Sequence, residues 1–164
     1  MPFLVQAWVF GEQDLKAKYG AEWAVVTGAS SGIGRAITEK LAAQGINVVM
    51  VALADPLLEE FHADMSAEYA GRVEFRKLGV NLGKEGYLAE IAAATEDLDV
   101  QLVFNNAGFV ITGLYADVAL PGQLANFECN AAAPVKITHL FLNRMLNAGL
   151  KGAKIGRASC RERV

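Results

Sequence analysis

The sequence predicts an α/β domain with a doubly wound parallel sheet of about four strands. Three observations predict it. Short unbroken apolar runs at 23–26 and 48–51 read as strands buried on both faces, and 100–104, apolar but for Gln101, reads as a further strand. Between the runs lie stretches with apolar residues at helical spacing, and that alternation implies right-handed crossovers with helices on both faces. A glycine-rich turn, residues 27–34, joins the first run directly to the first helical stretch.

In order along the chain, the first strand covers Trp23, Ala24, Val25 and Val26. The first helix follows over 32–44, with Ile33, Ala36, Ile37 and Leu41 on its inner face and Gly45 placed for a left-handed cap. A second strand at 48–51 leads to a helix opened by Pro56, with Leu57, Leu58, Phe61 and Met65 sharing a face. Residues 72–78 alternate as a third strand, 85–94 form a shorter helix and 100–104 the fourth strand. Residues 121–148 are helical with a break near Pro134, whose ring removes a backbone donor. Ligands of such sheets bind at the carboxyl ends of the strands, so the chemistry is expected just after Val26, Val51, Leu78 and Phe104.

Composition narrows the function classes. The 164 residues suit one domain, and 53 % hydrophobic against 20 % charged residues suits a packed core rather than a disordered tail. A formal charge of −3 provides no basic field for a nucleic-acid backbone, so no nucleic-acid partner is expected. The two cysteines, Cys129 and Cys160, have neither a disulfide framework nor zinc spacing, which points to a reducing, cytoplasmic setting and no metal site. The longest apolar runs fall short of the ~20 residues of a membrane span, and Met1-Pro2 starts without the cationic region of a signal peptide. His62 and His139 have no second ligand at metal spacing and read as structural.

The turn Thr27-Gly28-Ala29-Ser30-Ser31-Gly32-Ile33-Gly34-Arg35 fits phosphate recognition. Glycines permit a sharp turn and close backbone approach, and the N-terminus of the helix offers free N–H groups and a positive dipole end. It is not a Walker A loop, because no Gly-Lys-Ser/Thr closes it. The spacing Thr-Gly-x-x-x-Gly-x-Gly resembles the cofactor loop of the short-chain dehydrogenase/reductase family. Asn105-Asn106-Ala107-Gly108, directly after the fourth strand, resembles that family's second signature. From about Tyr19 to Gly152 the chain is similar to the branch with the 3-oxoacyl and hydroxysteroid reductases.

The resemblance implies a Rossmann-like fold, of which the N-terminal part only, about four strands, is present, and hydride transfer between a nicotinamide cofactor and a carbonyl or secondary alcohol. It assigns cofactor contacts to Thr27, Gly28, Ser30, Ser31, Gly32, Ile33, Gly34 and Arg35, to Asn81 and Leu82 after the third strand, and to Asn105, Ala107 and Gly108. It gives Asn130 the task of holding a water in a proton relay. NADP is expected over NAD, although the end of the second strand, Ala52-Leu53-Ala54-Asp55, has neither the ribose-binding acid nor a Ser-Arg pair in place. Arg35 stands either near a 2′-phosphate or as a solvated first-turn residue. Asn81 replaces an aspartate common in the family, keeping an acceptor without the charge.

In the family a tyrosine exchanges the proton, and a lysine four residues on lowers its pKa. Here Tyr19, Tyr69, Tyr87 and Tyr115 are followed four on by Trp23, Val73, Ile91 and Ala119, so none has that partner. The family places its serine, tyrosine and lysine after one further strand, beyond Val164 on this reading. The chain as given is therefore expected to lack turnover. A non-catalytic dinucleotide-binding module is the alternative. In the complete form a small carbonyl or alcohol is the expected partner. The Phe141, Leu142, Met145 and Leu146 cluster then packs either as helix core or as a dimer seam of a homo-oligomer.

Three segments are expected: an N-terminal extension at 1–18, a partial dinucleotide-binding domain at 19–153 and a non-native tail at 154–164. The tail shows no strand periodicity. Residues 155–164 back-translate to ATC GGA AGA GCG TCG TGT AGG GAA AGA GTG, which reads as a common sequencing adapter, and Lys154 fits the two preceding bases. Those residues carry +2, leaving −5 for the rest. A sheet ending at the fourth strand would expose an apolar edge prone to aggregation.

Overall fold

A computed structural model describes residues 13–156 and the backbone of 162–163. Helix α1 (Leu15–Tyr19) precedes β1 (Trp23–Thr27), α2 (Gly32–Ala43), β2 (Asn47–Ala52), α3 (Pro56–Glu68) and β3 (Phe75–Gly79). Then come α4 (Tyr87–Ala94), β4 (Val100–Asn105), a 3₁₀ turn (Tyr115–Asp117), α5 (Leu120–Phe127), a single π-type turn (Glu128–Ala132) and α6 (Ala133–Asn147). Strands β5 (Ala153–Gly156) and β6 (Glu162–Arg163) close the order. The start of the expected extension, residues 1–12, lies outside the described residues.

The sheet runs β3-β2-β1-β4-β5-β6, with the first five strands parallel and β6 antiparallel. Strand pleating sorts the core into two layers. Ala24, Val26, Val48, Met50, Leu102 and Phe104 face one side, where α2 and α3 supply Leu41, Leu58, Phe61 and Met65. Val25, Val49, Val51, Val100 and Val103 face the other, where Ile91 of α4 and Ile137, Phe141 and Met145 of α6 cover them. Each large side chain fully buried here contributes roughly 1.5–3 kcal/mol.

Several expectations need correction. The sheet does not end at the fourth strand: β5 pairs with β4 from Leu102↔Ala153 to Asn105↔Gly156, so β4 is internal. Side-chain periodicity missed β5 because the backbone ladder places it there. Gly152 lets the chain approach, since a Cβ on it would lie 2.4 Å from Gln101 O and 2.6 Å from Met145 Sδ. The third strand is shorter than 72–78, because Arg72 and Val73 donate their N–H groups to Tyr69 O in the turn after α3. The inner face of α2 is Gly34, Thr38, Leu41 and Ala42, with Ile33 74 % exposed and Ala36 also exposed. On α3, Leu57 turns outward while Leu58, Phe61 and Met65 are buried. In the α6 cluster Phe141 and Met145 pack into the core, whereas Leu146 faces solvent. Gly45 takes the left-handed conformation expected of it, with φ +71°.

The helical stretch at 120–147 is interrupted by the π-type turn, which ends two residues before the expected break at Pro134. Long-range polar contacts fix the surrounding frame. Arg144 donates to Thr95 O, Thr95 Oγ1 and Ala92 O at 2.9–3.0 Å, satisfying carbonyls at the C-terminal end of α4. Gln101 bridges β4 to the entry of β1, accepting from the N–H groups of Glu22 and Trp23 and donating to Gly20 O.

Candidate functional site: a cradle at the carboxyl ends of β1 and β4

Thr27, buried at the end of β1, is the junction of the site. Its hydroxyl donates to Phe104 O (3.3 Å) and accepts from the N–H groups of Asn106 and Ala107 (3.0 Å each). One side chain thus binds the end of β1 to the turn after β4. Asn106 completes the tie, its Nδ2 donating to Thr27 O (3.1 Å) and Gly28 O (3.3 Å). Sequence reasoning passed over Asn106, choosing its neighbours Asn105, Ala107 and Gly108. Its role depends on residues nearly eighty positions away, which only the β1–β4 pairing brings near.

The 28–34 turn leaves β1 with the N–H of Gly28 donating to Val51 O at 2.7 Å, so it is anchored to β2 as well. Gly28 sits at φ +66° and Gly32 at φ +54°, where other residues are strained. Gly34 is required by contact: a Cβ on it would lie 2.0 Å from Gly28 O and 2.7 Å from Asn106 Nδ2. The backbone therefore folds against itself with no room for a side chain. Ser31 occupies the N-cap of α2 in extended conformation and makes no side-chain cap hydrogen bond. The first-turn amides and the positive end of the α2 dipole are thus left for an anionic ligand. Ser30 is half-buried beside them, while Ser31, Gly32 and Ile33 are exposed.

Asn105, at the end of β4, faces α6. Its Nδ2 donates to Thr138 Oγ1 (2.9 Å) and Pro134 O (3.4 Å), while its buried Oδ1 has no hydrogen-bond partner. Ala107 and Gly108 are half-buried, Ala107 packing against the layer under α4 and α6. Beyond them the peptide of Phe109 is held from the π-type turn. Its N–H donates to Asn130 Oδ1 (3.1 Å), and its carbonyl accepts from Asn130 Nδ2 and Asn126 Nδ2 at 2.7 Å each. The structure thus brings Asn130 to the same rim as Gly108. Asn126 was missed, although the Asn126/Asn130 spacing places both amides on one helix face.

After β3, Asn81 Oδ1 accepts from the N–H of Gly83, closing a local turn, and Leu82 is buried in the α4/α6 layer. The acid that follows β2 is already engaged in a helix cap. Asp55 caps α3, its Oδ1 accepting from the N–H of Leu58 at 3.0 Å. Glu59 pairs with Lys77. Together with Glu60 they line a shallow depression of about 490 Å³ against Ala54 and Pro56. Arg35 lies over the Phe61 ring (4.5 Å) and pairs with Glu39 at 3.0 Å, both side chains being about half exposed.

A second polar cluster supports the site from α4. Tyr87 OH donates to Glu128 Oε1 at 2.6 Å, and Lys136 Nζ donates to the same oxygen at 2.6 Å. Lys136 and Tyr87 hold the Glu128 carboxyl below the usual carboxylate range. Burial, reinforced by Glu128, pushes the Tyr87 phenol well above its ordinary value, the opposite of what a proton-exchanging tyrosine needs. Among the described residues no group of histidine, cysteine or acidic side chains could hold a metal. His62 is satisfied by Phe75 O and Cys129 is buried.

Residues 22–159 match the family model described as short chain dehydrogenase. The chain belongs to that family. It is 30 % identical over 154 residues to hydroxysteroid dehydrogenase-like protein 1 of Gallus gallus, covering 92 % of this chain and 46 % of the relative. It is 38 % identical over 95 residues to the very-long-chain 3-oxoacyl-CoA reductase of Meyerozyma guilliermondii, covering 56 % and 28 %. Among solved structures, a short-chain dehydrogenase from Sphingobium yanoikuyae in complex with NADPH superposes with a TM-score of 0.73 at 25 % identity, over 82 % of this chain and 52 % of that one. The chain spans about half the length of the first of these relatives. The α/β Rossmann-like fold of this short-chain dehydrogenase chain is the one expected. No described helix is long and apolar enough to cross a membrane.

Proposed function

We propose that this chain binds NADP(H) at the carboxyl ends of β1 and β4, and that its complete form transfers a hydride between the nicotinamide and a carbonyl or secondary alcohol. The observation that carries the reading is the cradle. Gly34 admits no side chain against Gly28 O, and the first turn of α2 keeps its amides uncapped, as a pyrophosphate requires. The bound cofactor supplies the hydride chemistry. The chain's own part is to bind and orient. Gly28, Ser30, Ser31, Gly32 and Gly34 hold the phosphates over the buried Thr27 junction, exposed Ile33 offers an apolar wall, Asn81 flanks the adenine with the Leu82 side chain packed into the core beneath it, and Ala107 and Gly108 line the far side. Asn105 steadies β4 against α6, and Asn130 holds a relay water in the complete form.

NADP over NAD is supported by the NADPH-bound relative and by Arg35, which reaches a 2′-phosphate by releasing Glu39. The test is titration of the 164-residue chain with NADPH and NADH, following nicotinamide fluorescence. Saturable binding that favours NADPH and disappears in Gly34→Ala is expected. Absence of binding by either cofactor overturns the reading, and a preference for NADH overturns the NADP part.

We propose further that the chain as given does not turn over ketones, because none of its four tyrosines has a lysine four residues on. That same observation favours a second reading, a non-catalytic dinucleotide-binding module in a reducing, cytoplasmic setting. Treating 154–164 as adapter-derived separates the two. Resequencing the transcript across the codons for 151–164 tests this: continuation into a serine and Tyr-x-x-x-Lys supports the reductase, and a stop after Val164 supports the module.

A further inference from the structure

The phase between α5 and α6 is set by the π-type turn at Glu128–Ala132, and one ion pair reports that phase. At about 100° per residue, side chains eight apart on a regular α-helix are roughly 80° out of phase. One inserted residue, as a π-type turn provides, brings them within about 20° of each other. Lys136 is eight residues after Glu128, and its Nζ lies 2.6 Å from Glu128 Oε1 across the turn. The contact therefore belongs to the π register and is lost in a continuous α-helix. Tyr87, only 2 % exposed, donates to the same oxygen, which ties the turn to α4 as well. The turn carries Asn130, and Asn126 lies just before it. Both hold the Phe109 peptide beside Gly108.

We propose that Glu128 is a positioning residue: bound by Lys136 and Tyr87, it locks the π register of the 128–132 turn and thereby keeps Asn126 and Asn130 on the Phe109 peptide. Relaxation of the turn to α rotates α5 by about 100° relative to α6 and takes Asn126 off Phe109. The consequence for cofactor affinity rests on the dinucleotide reading above. The register lock itself does not.

The experiment compares the full chain with Glu128→Ala, Lys136→Met and the charge swap E128K/K136E. The swap re-forms the ion pair across the turn with its charges reversed, and the ammonium it places at position 128 donates to the Tyr87 oxygen. Amide hydrogen exchange is followed at Phe109 and at amides of β1 as an internal reference, and NADPH affinity in parallel. Each single variant is expected to raise exchange at Phe109 about tenfold or more relative to β1, with NADPH affinity falling by a similar factor, and the swap to restore both. Unchanged Phe109 exchange in Lys136→Met, or a swap that restores nothing, overturns the lock. Should Glu128→Ala fail to fold, Lys136→Met and the swap decide alone. A wild-type chain that binds no NADPH sinks the dinucleotide reading while the exchange result still judges the lock.

Discussion

Two turns face each other at the carboxyl end of the sheet, and they are built in opposite ways. The 28–34 turn is made of backbone: left-handed glycines, a close contact at Gly34 and uncapped amides. The 105–109 turn is made of side-chain hydrogen bonds from Thr27, Thr138, Asn126 and Asn130, drawn from β1, α5, the π-type turn and α6. The first tolerates no added atom at its tightest point. The second tolerates no lost donor or acceptor. Shape complementarity of main chain gives a rigid anion cradle, whereas the opposite wall inherits its position from whatever holds the helices.

The sharpest way to break this contrast is Gly34→Ala. The new methyl meets backbone that cannot yield, so a loss of about 3 kcal/mol in denaturant stability is expected together with loss of NADPH binding. Gly32→Ala, with open space around it, should cost only about 1 kcal/mol through its positive φ. Equal effects would show that conformation rather than contact governs the loop. On the other wall, Thr27→Val keeps the shape and strands the Asn106 and Ala107 N–H groups. A loss of about 2 kcal/mol is expected in urea unfolding.

Arg144→Met probes the frame behind the second turn. Three hydrogen bonds to the end of α4 disappear, for an expected loss of about 1–2 kcal/mol measured the same way. The Glu128 cluster gives a pH signature. Its carboxyl titrates lower in the folded state than the ~4.3 of an unfolded glutamate. Its contribution is therefore present above that value and lost as pH falls through the folded pKa. The stability gap between wild type and Glu128→Gln should be open at neutral pH and close under acid. A gap that persists or widens there would assign the effect to packing. The smallest effect belongs to Arg35→Ala, below about 1 kcal/mol for an exposed helix pair. Its informative readout is the ratio of NADPH to NADH affinity, expected to fall.

Most of the fold could be read in the sequence because its signals are local. Apolar runs marked β1, β2 and β4, and Pro56 and Gly45 marked helix ends where the structure has them. The 28–34 turn was legible for the same reason: a glycine at each tight position is a statement about neighbouring backbone. Helix faces were less legible. Ile33 and Leu57 fit an apolar stripe by spacing yet lie outside it, because the actual face is chosen by how α2 and α3 rest on the sheet.

By itself the sequence determined the alternation of strands and helices, the glycine cradle and membership of a dehydrogenase family, since each is encoded in contiguous residues. Tertiary structure alone decided the place of β5 beside β4, the tie of Asn106 to Thr27 and Gly28, and the π register that sets Glu128 against Lys136 and Tyr87. The physical reason is common to all three. A hydrogen bond made between separate elements, or across a break in helical phase, leaves no periodicity behind, and its partners are chosen only when the packed elements have brought them within about 3 Å of one another.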